Sequence, residues 1–342
     1  MGKHKWWATL AGSTALLLVG VSGAPAMELV AAEGYSFELY GSARLQGEAV
    51  RPDDRDALDS YTGFRDAYSR IGAKGDYQLD HGLTLFGQLE LPVDLANGEI
   101  QDPYNHHQDV RVAKAGLRGD FGSLAFGRMW TPYYNAIAYP VDMFNSYYSG
   151  FATYSTSRES QTFSYYSPDI NDFSFALGWA VNNEYWYDDG KDRFQATASY
   201  NLTADTTVAA GLDHLSSDQR LWGLSLMHNW EQLYIGAKLE VHDSDYDTGY
   251  GADGETAVNL YAAYTLGQQT YKAMLAEVEN YGETVFHLGV DHQFNKRLKF
   301  FAEYYREQDS AAITTERGSG DGTWLNDFGG GEVFLLGARF DF

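Results

Sequence analysis

The last twelve residues of the chain, 331–342, alternate strictly between two faces. One face is apolar from residue 334 to the end, and its members are Phe334, Leu336, Ala338, Phe340 and Phe342. The other face carries Arg339 and Asp341 beside smaller and aliphatic side chains. A period of two is the repeat of a β-strand, because successive side chains point to opposite sides. The segment fits either the end of a membrane-spanning strand, where aromatic rings lie at the interface, or a strand of a soluble β-sandwich.

Similar alternation recurs through the rest of the chain. Residues 233–242 show it most clearly, since Ile235 and Leu239 alternate with Lys238 and Glu240. An even number of strands between about 8 and 26 is typical of the barrels of bacterial outer membranes. We therefore predict an all-β fold, a sixteen-stranded antiparallel transmembrane β-barrel. The strands are expected near residues 36–49, 66–78, 83–93, 109–118, 121–130, 159–167, 172–181, 193–201, 206–214, 221–230, 232–242, 256–266, 270–278, 284–294, 298–306 and 331–342.

The connections between these runs alternate in length. Tight connections follow the even-numbered runs, at 80–82, 119–120, 169–171, 203–205, 231, 268–269 and 295–297. Most connections after the odd-numbered runs are long, at 50–65, 94–108, 131–158, 182–192, 243–255 and 307–330. Short turns on one rim and long loops on the other are the pattern of an outer-membrane barrel, whereas a soluble sandwich has no reason to separate them.

The N-terminus has the features of a secretory signal peptide. A basic start that includes Lys3 and Lys5 precedes an uncharged stretch, residues 6–26. That stretch ends in Ala-Pro-Ala, the small-residue pattern of a cleavage site. We expect residues 1–26 to be the signal peptide and residues 27–342 to form the barrel domain. Cleavage after Ala32 and an uncleaved helical anchor are the alternatives.

Composition excludes several classes of function. The net charge of −23 opposes binding to nucleic acid, because the phosphates would be repelled. The chain has no Cys, so neither disulfides nor thiol chemistry are available. An acidic stretch at 243–249 only partly matches a calcium loop, because its Gly is one place late and no Glu stands at the twelfth position. We expect no cofactor and no metal site.

A membrane barrel of this size would enclose water. Lipid requires an apolar outer face, so the polar face of each strand points to the lumen, which about sixteen strands make wide enough for a channel. The charged residues expected to line it are Arg44, Arg70, Lys74, Arg111, Lys238 and Glu240. The long 131–158 connection has one acid, Asp142, among many Tyr and Phe residues. Folded inward as a third loop, it would narrow the pore and place Asp142 opposite the arginines.

Four local motifs resemble one protein family, the general diffusion porins of Gram-negative outer membranes. They are LYG at 39–41, YSRIGAKG at 68–75, RVAKAGL at 111–117 and FGSLAFGR at 121–128. The resemblance covers the chain after the signal peptide and implies trimers of sixteen-stranded barrels, and thus a homotrimer here. In this chain the third loop keeps a single acid and lacks the family's Pro-Glu-Phe-Gly stretch, so the ion preference is left open.

The resemblance also implies roles for individual residues. Arg70 and Arg111 match the arginines that line the pore constriction, and Arg44 and Arg158 match its other basic residues more loosely. Arg128 matches an arginine at the contact between subunits. By the parity of its strand, Lys114 is expected to face outward, as Arg128 does.

The function that these features favour is a passive channel for small hydrophilic solutes and ions, with no enzymatic activity. Its partners would be outer-membrane lipid and the solutes themselves. Three alternatives remain at this point. The Tyr-rich loop could stack sugars in a solute-specific channel of the same fold. The chain could also be an outer-membrane barrel hydrolase or a secreted soluble β protein.

Overall fold

A computed structural model describes residues 27–32, 34–103, 110–183, 191–216, 218–309, 311–313 and 329–342. The predicted signal peptide, residues 1–26, lies outside the described residues, as do parts of three of the predicted long loops. Within the described residues, no helix is both long and apolar enough to cross a membrane.

The described chain is a single antiparallel sheet with three short helical turns. The turns are 3-10 turns at Asp80–Gly82 and Tyr139–Val141 and a π-helical turn at Tyr134–Ala138. The strands are β1 (Met27–Ala32), β2 (Tyr35–Pro52), β3 (Tyr61–Asp66), β4 (Arg70–Gln78), β5 (Thr84–Pro92), β6 (Val112–Gly119), β7 (Gly122–Trp130), β8 (Arg158–Tyr166), β9 (Phe173–Asn183), β10 (Lys191–Thr203), β11 (Thr206–Ser216), β12 (Gln219–Trp230), β13 (Leu233–Ser244), β14 (Thr256–Leu266), β15 (Gln269–Val278), β16 (Glu283–Gln293), β17 (Leu298–Glu307) and β18 (Gly331–Asp341).

The sheet closes on itself through β18 and β2, which pair from Gly331 opposite Pro52 to Asp341 opposite Ser42. Strands β3 and β4 lie end to end along β2 and together fill one position in the wall. Strand β1 pairs with the first residues of β2, beyond the end of β18. The wall is therefore a closed sixteen-stranded antiparallel barrel, as the alternation predicted.

The outer surface of the barrel is apolar, and its inner face carries the charges. Leu336 is 70% exposed and Phe340 is 42% exposed on the outside of β18, while Glu48 on the inner face of β2 is 2% exposed. A soluble sandwich would place the exposed set in its core. The arrangement fits lipid on the outside and a polar lumen within.

The strand bounds agree with the sequence prediction to within two or three residues at most ends, with three exceptions. Strand β1 was not expected, and all of β3 except its last residue, Asp66, falls inside the predicted 50–65 loop. The predicted 66–78 strand is interrupted, because Tyr68 adopts a positive φ of 65°. The backbone amide of Ser69 donates to the carboxylate of Asp66 (2.7 Å) instead of to a neighbouring strand. The alternation of polar and apolar residues does not predict this side-chain interaction.

A buried ion network joins the wall strands β8, β10 and β11. Arg193 is 2% exposed; its Nε donates to Asp213 (2.8 Å) and its Nη1 to Glu159 (3.0 Å). Asp213 is fully buried and also accepts from the side-chain amide of Gln195 (2.8 Å). Removing the guanidinium would leave two buried carboxylates without their cation.

We predict that Arg193→Met lowers the free energy of unfolding by about 3–5 kcal/mol, since breaking a buried ion pair leaves an uncompensated charge. Urea unfolding of the detergent-solubilised protein, followed by gel mobility and circular dichroism, measures this. The double variant Arg193→Met/Asp213→Leu should recover part of the loss.

The matched control is Arg306→Met, which removes a pair with Asp53 that is exposed on both sides (2.7 Å). It should cost about 1 kcal/mol or less. Equal losses for the Arg193 and Arg306 variants would contradict the structural role given to the buried network.

Candidate functional site

The connection between β7 and β8, residues 131–157, is folded into the barrel; we call it loop three. It begins with the turns Tyr134–Ala138 and Tyr139–Val141 and then runs along the inner face of the wall. The Ser225 hydroxyl on β12 donates to the carbonyl of Ala136 (2.6 Å). The inward fold predicted for this loop is therefore confirmed.

Loop three is fastened to the wall by hydrogen bonds to its backbone. The Tyr234 hydroxyl donates to the carbonyl of Pro140 (2.8 Å), and the Lys272 ammonium donates to the carbonyl of Met143 (3.0 Å). Further along, the backbone amide of Asn145 donates to Glu303 (2.9 Å). Wall side chains therefore supply the partners that an irregular backbone needs inside a membrane barrel.

Lys238 and Glu240 lie on the lumen side of β13 but beneath loop three. Both side chains are completely covered, and they form an ion pair (2.6 Å). The Lys238 ammonium donates to the carbonyl of Ala152 (3.1 Å), and Glu240 accepts from the amide of Tyr154 (3.0 Å). They thus hold the loop against the wall, which differs from the expectation that they line open water.

The tyrosines of loop three are mostly packed against the wall. Tyr139 is partly exposed, whereas the other five are buried, namely Tyr133, Tyr134, Tyr147, Tyr148 and Tyr154. Burial raises the pKa of Tyr147 to about 12 and that of Tyr148 well above its usual range, so both hydroxyls stay protonated. The Tyr-rich segment is therefore an inner core, and little of it is left to stack sugars.

Five arginines lie together on the lumen side beside loop three, where Nη1 of Arg339 donates to the side-chain oxygen of Asn145 (3.4 Å). We call them the arginine cluster: Arg44, Arg70, Arg111, Arg158 and Arg339. Arg339 on β18 stands opposite Arg44 on β2, and Arg70 on β4 stands opposite Ser42 on β2. The cluster includes the four arginines that were assigned to the constriction, and their role there stays a prediction.

Three carboxylates hold the arginine cluster in place. Glu90 accepts from Nε of Arg111 (2.9 Å) and lies 3.9 Å from Nε of Arg70. Asp102 bridges Arg111 (2.9 Å) and Arg158 (3.2 Å). At the seam of the barrel, Asp341 pairs with Arg339 (2.8 Å).

Aromatic rings separate the cluster from the acid of loop three. The guanidinium of Arg158 lies 4.8 Å from the ring centre of Trp130, which stacks on Tyr134 at 4.9 Å. The hydroxyls of Tyr134 and Ser149 both donate to Asp142. Burial and the Asp142 charge raise the pKa of Tyr134 well above its usual range, so it stays a donor. Among the described residues, Asp142 forms no ion pair with an arginine.

The remaining predicted residues lie on both faces of the wall. Lys74 is a lumen residue with a half-exposed side chain, paired with Glu38 (2.9 Å). Arg128 is half-buried on the outward side of β7, where its Nε donates to the carbonyl of Val110 (2.9 Å) and its Nη1 to Ser160 (2.8 Å).

Lys114 faces the lumen, contrary to the expectation from parity. It pairs across the sheet with Gln88 of β5, and both residues line a lumen cavity. The expectation was wrong because Arg111 precedes β6, so the alternation counted from Arg111 does not continue through the strand.

Sequence reasoning missed four members of the site. Arg339 and Asp341 occupy the polar face of the last strand, so the alternation contained a signal for both. Glu90 likewise alternates onto the polar face of its strand. Asp102 lies in a long connection and had no periodic signal.

A closed barrel with an apolar outside, a charged lumen and an inward-folded loop defines a transmembrane β-barrel channel protein of the outer membrane. A family model described as Gram-negative porin matches residues 12–312. The chain belongs to the Gram-negative porin family.

Individual relatives agree with this assignment. Outer membrane porin F of Escherichia coli (strain K12) is 26% identical over 86% of this chain and 90% of that protein. The monosaccharide porin of a Halomonas species is 23% identical over 73% of both chains. Among solved structures, the complex of Salmonella typhi OmpF with daunomycin has a TM-score of 0.69 at 18% identity, covering 92% of this chain and all of the other.

The comparisons also bear on the alternatives left open by the sequence. The family and the fold are those of outer-membrane channels, so they favour neither a hydrolase nor a secreted soluble β protein, whereas a solute-specific channel stays open. As a member of this family, the chain is thus an outer-membrane porin.

Gly236 on β13 tests how closely loop three must approach the wall. A Cβ atom at this position would collide with the carbonyl oxygen of Pro140. We predict that Gly236→Ala shifts the start of loop three toward the lumen axis by roughly 1 Å and reduces single-channel conductance by roughly a third. Planar-bilayer recording of single channels measures this change.

Gly47→Ala is the matched control, because the nearest atom to its added Cβ is 3.4 Å away in the Phe64 ring. Its conductance should equal that of the unmodified protein. An unchanged conductance in Gly236→Ala would show that the loop does not define the width of the passage.

Proposed function

We propose that this porin is a passive channel with its narrowest section between the arginine cluster and loop three, and that it prefers anions. The observation that carries the proposal is the arginine cluster itself. It comprises five cations with three carboxylates, Glu90, Asp102 and Asp341, which leaves an excess of two positive charges.

The geometry of the opposite wall supports this preference. Asp142 is the acid of loop three, and its charge is shared between two hydroxyl donors. Lys272 (2.8 Å) and Lys299 (3.1 Å) both pair with Asp291, and Glu303 also interacts with the Lys272 charge, so these four groups sum to no net charge and the excess is that of the arginine cluster. Low-dielectric walls focus such an excess on a passing ion.

A solved structure with a similar fold is in keeping with this proposal. The anion-selective porin from Comamonas acidovorans has a TM-score of 0.68 at 18% identity, covering 90% of this chain and all of the other. That porin gives a precedent for anion preference on this fold, while the charges of the arginine cluster are those of the present chain.

The test is the reversal potential in a tenfold potassium chloride gradient across a planar bilayer. We expect the sign that corresponds to chloride preference. Arg70→Gln should reduce the chloride-to-potassium permeability ratio at least about twofold, because Arg70 is partly exposed and its nearest carboxylate is 3.9 Å away.

Arg297→Gln is the control, since it removes the same charge from an exposed short turn outside the lumen. Its permeability ratio should equal that of the unmodified protein. Potassium preference in the unmodified protein, or equal shifts in both variants, would refute the assigned role of the arginine cluster.

We also propose that the porin is a homotrimer and that Arg128 lies at the subunit contact. An arginine that faces lipid costs about 2–4 kcal/mol near the membrane midplane, so a neighbouring subunit is the natural cover for this outward side chain. The outer faces of β2, β4 and β6 carry small residues that permit close packing of protein against protein, namely Ala43, Gly47, Ala73, Gly75, Ala113 and Ala115.

Light scattering of the detergent-solubilised protein after size-exclusion chromatography should give three chains per particle. We predict that Arg128→Leu lowers the temperature at which the trimer dissociates on a gel, by roughly 5–10 °C, since the contact loses the guanidinium that Val110 and Ser160 hold in place. Arg220→Leu, an outward arginine on the distant strand β12, should leave that temperature unchanged. A monomeric unmodified protein would overturn the proposal.

A further inference from the structure

A cavity of about 460 Å³ lies in the lumen on the short-turn side of the arginine cluster. Its wall is formed by β2 and β4–β8, and loop three contributes Asn135. Ligand sites in proteins commonly have volumes of roughly 300–1,000 Å³. The cavity therefore has room for a small organic solute on the path below the constriction.

Three cations line this cavity, and their environments differ. Lys74 is paired with Glu38 (2.9 Å) and Arg118 with Asp76 (2.6 Å). Within the part of the chain that the structure describes, Lys114 forms no ion pair. The charge left uncompensated in the cavity is thus the ammonium of Lys114.

Amide groups on two sides of the cavity provide hydrogen-bond acceptors. The Gln88 side-chain amide donates to the Tyr40 hydroxyl (2.6 Å), and the Asn135 amide donates to the Tyr166 hydroxyl (2.9 Å). Both amides use their NH₂ group in this way, which orients each carbonyl oxygen as an acceptor for a hydroxyl group.

Aromatic faces complete the lining. Trp130, Tyr166 and Phe86 are each partly exposed on the cavity wall. Trp130 has Tyr134 stacked on its ring (4.9 Å) and the Arg158 guanidinium over it (4.8 Å), so the ring faces left for a solute are those of Tyr166 and Phe86. The flat apolar face of an aromatic ring suits the C–H face of a sugar ring.

We propose that this cavity is a binding subsite for small sugar acids, in which a carboxylate binds Lys114 and ring hydroxyls bind Gln88 and Asn135. The inference rests on the proposed function, since solutes reach the cavity through the channel. A neutral sugar would leave the Lys114 charge without a partner. A bare inorganic anion would use neither the aromatic faces nor the amide acceptors.

Titration calorimetry of the detergent-solubilised protein with D-glucuronate tests the subsite without requiring conductance. We expect saturable binding, with D-glucose and acetate at least about tenfold weaker, because each lacks one part of the recognised group. Lys114→Gln should weaken D-glucuronate binding by about tenfold or more, and Lys114→Arg should retain most of it.

Lys296→Gln is the matched control, because it removes one ammonium from an exposed short turn outside the lumen, and its binding should be unchanged. Absence of D-glucuronate binding, equal binding of D-glucose, or unchanged binding in Lys114→Gln would overturn the subsite. Conductance in potassium chloride is recorded on the same samples. A conducting protein that does not bind D-glucuronate refutes only the subsite, whereas binding without conductance refutes only the proposed channel.

Discussion

Lipid hydrocarbon offers no hydrogen-bond partners, so each backbone amide of a membrane-spanning strand must be paired with another strand. The pairing of β18 with β2 meets this requirement by closing the sheet, and no edge in the wall is left open. A closed ring of about sixteen strands is too wide for wall side chains alone to fill. The barrel therefore has an interior that must contain water, protein or both.

Loop three and the wall depend on each other in that interior. Wall carboxylates such as Glu303 and Glu240 accept hydrogen bonds from the loop's backbone amides, and wall ammonium groups such as Lys238 donate to its carbonyls. Buried charges are costly without partners, and so is an irregular backbone inside a membrane. The arginine cluster lies beside the loop, since Arg339 reaches the side chain of Asn145, and Arg70 is one of its partly exposed members.

The sequence was informative wherever the same requirement applies along a whole strand. Every outward side chain must be apolar because it faces lipid, so the sixteen wall positions could be predicted from the alternation alone. The separation of short turns from long loops could also be predicted without contact information. Local interruptions of the alternation could not be predicted. The backbone amide of Ser69 donates to the Asp66 side chain, which ends the strand there. Strand β6 begins only after Arg111, so the inward and outward assignment counted from Arg111 was wrong for Lys114. Asp102 joins the arginine cluster from a connection with no period at all.

Net charge is a poor guide to the ion preference of such a molecule, because the charges are distributed unevenly. The exposed acids cluster in the long loops, for example at Asp54, Asp56, Asp245 and Asp247, where water and salt surround them. At physiological ionic strength their fields fall off over about 8 Å, so they act little on an ion inside the barrel. The arginine cluster has low-dielectric walls around it and acts on that ion directly. A chain with a net charge of −23 can therefore present a positive passage to the solutes that cross it.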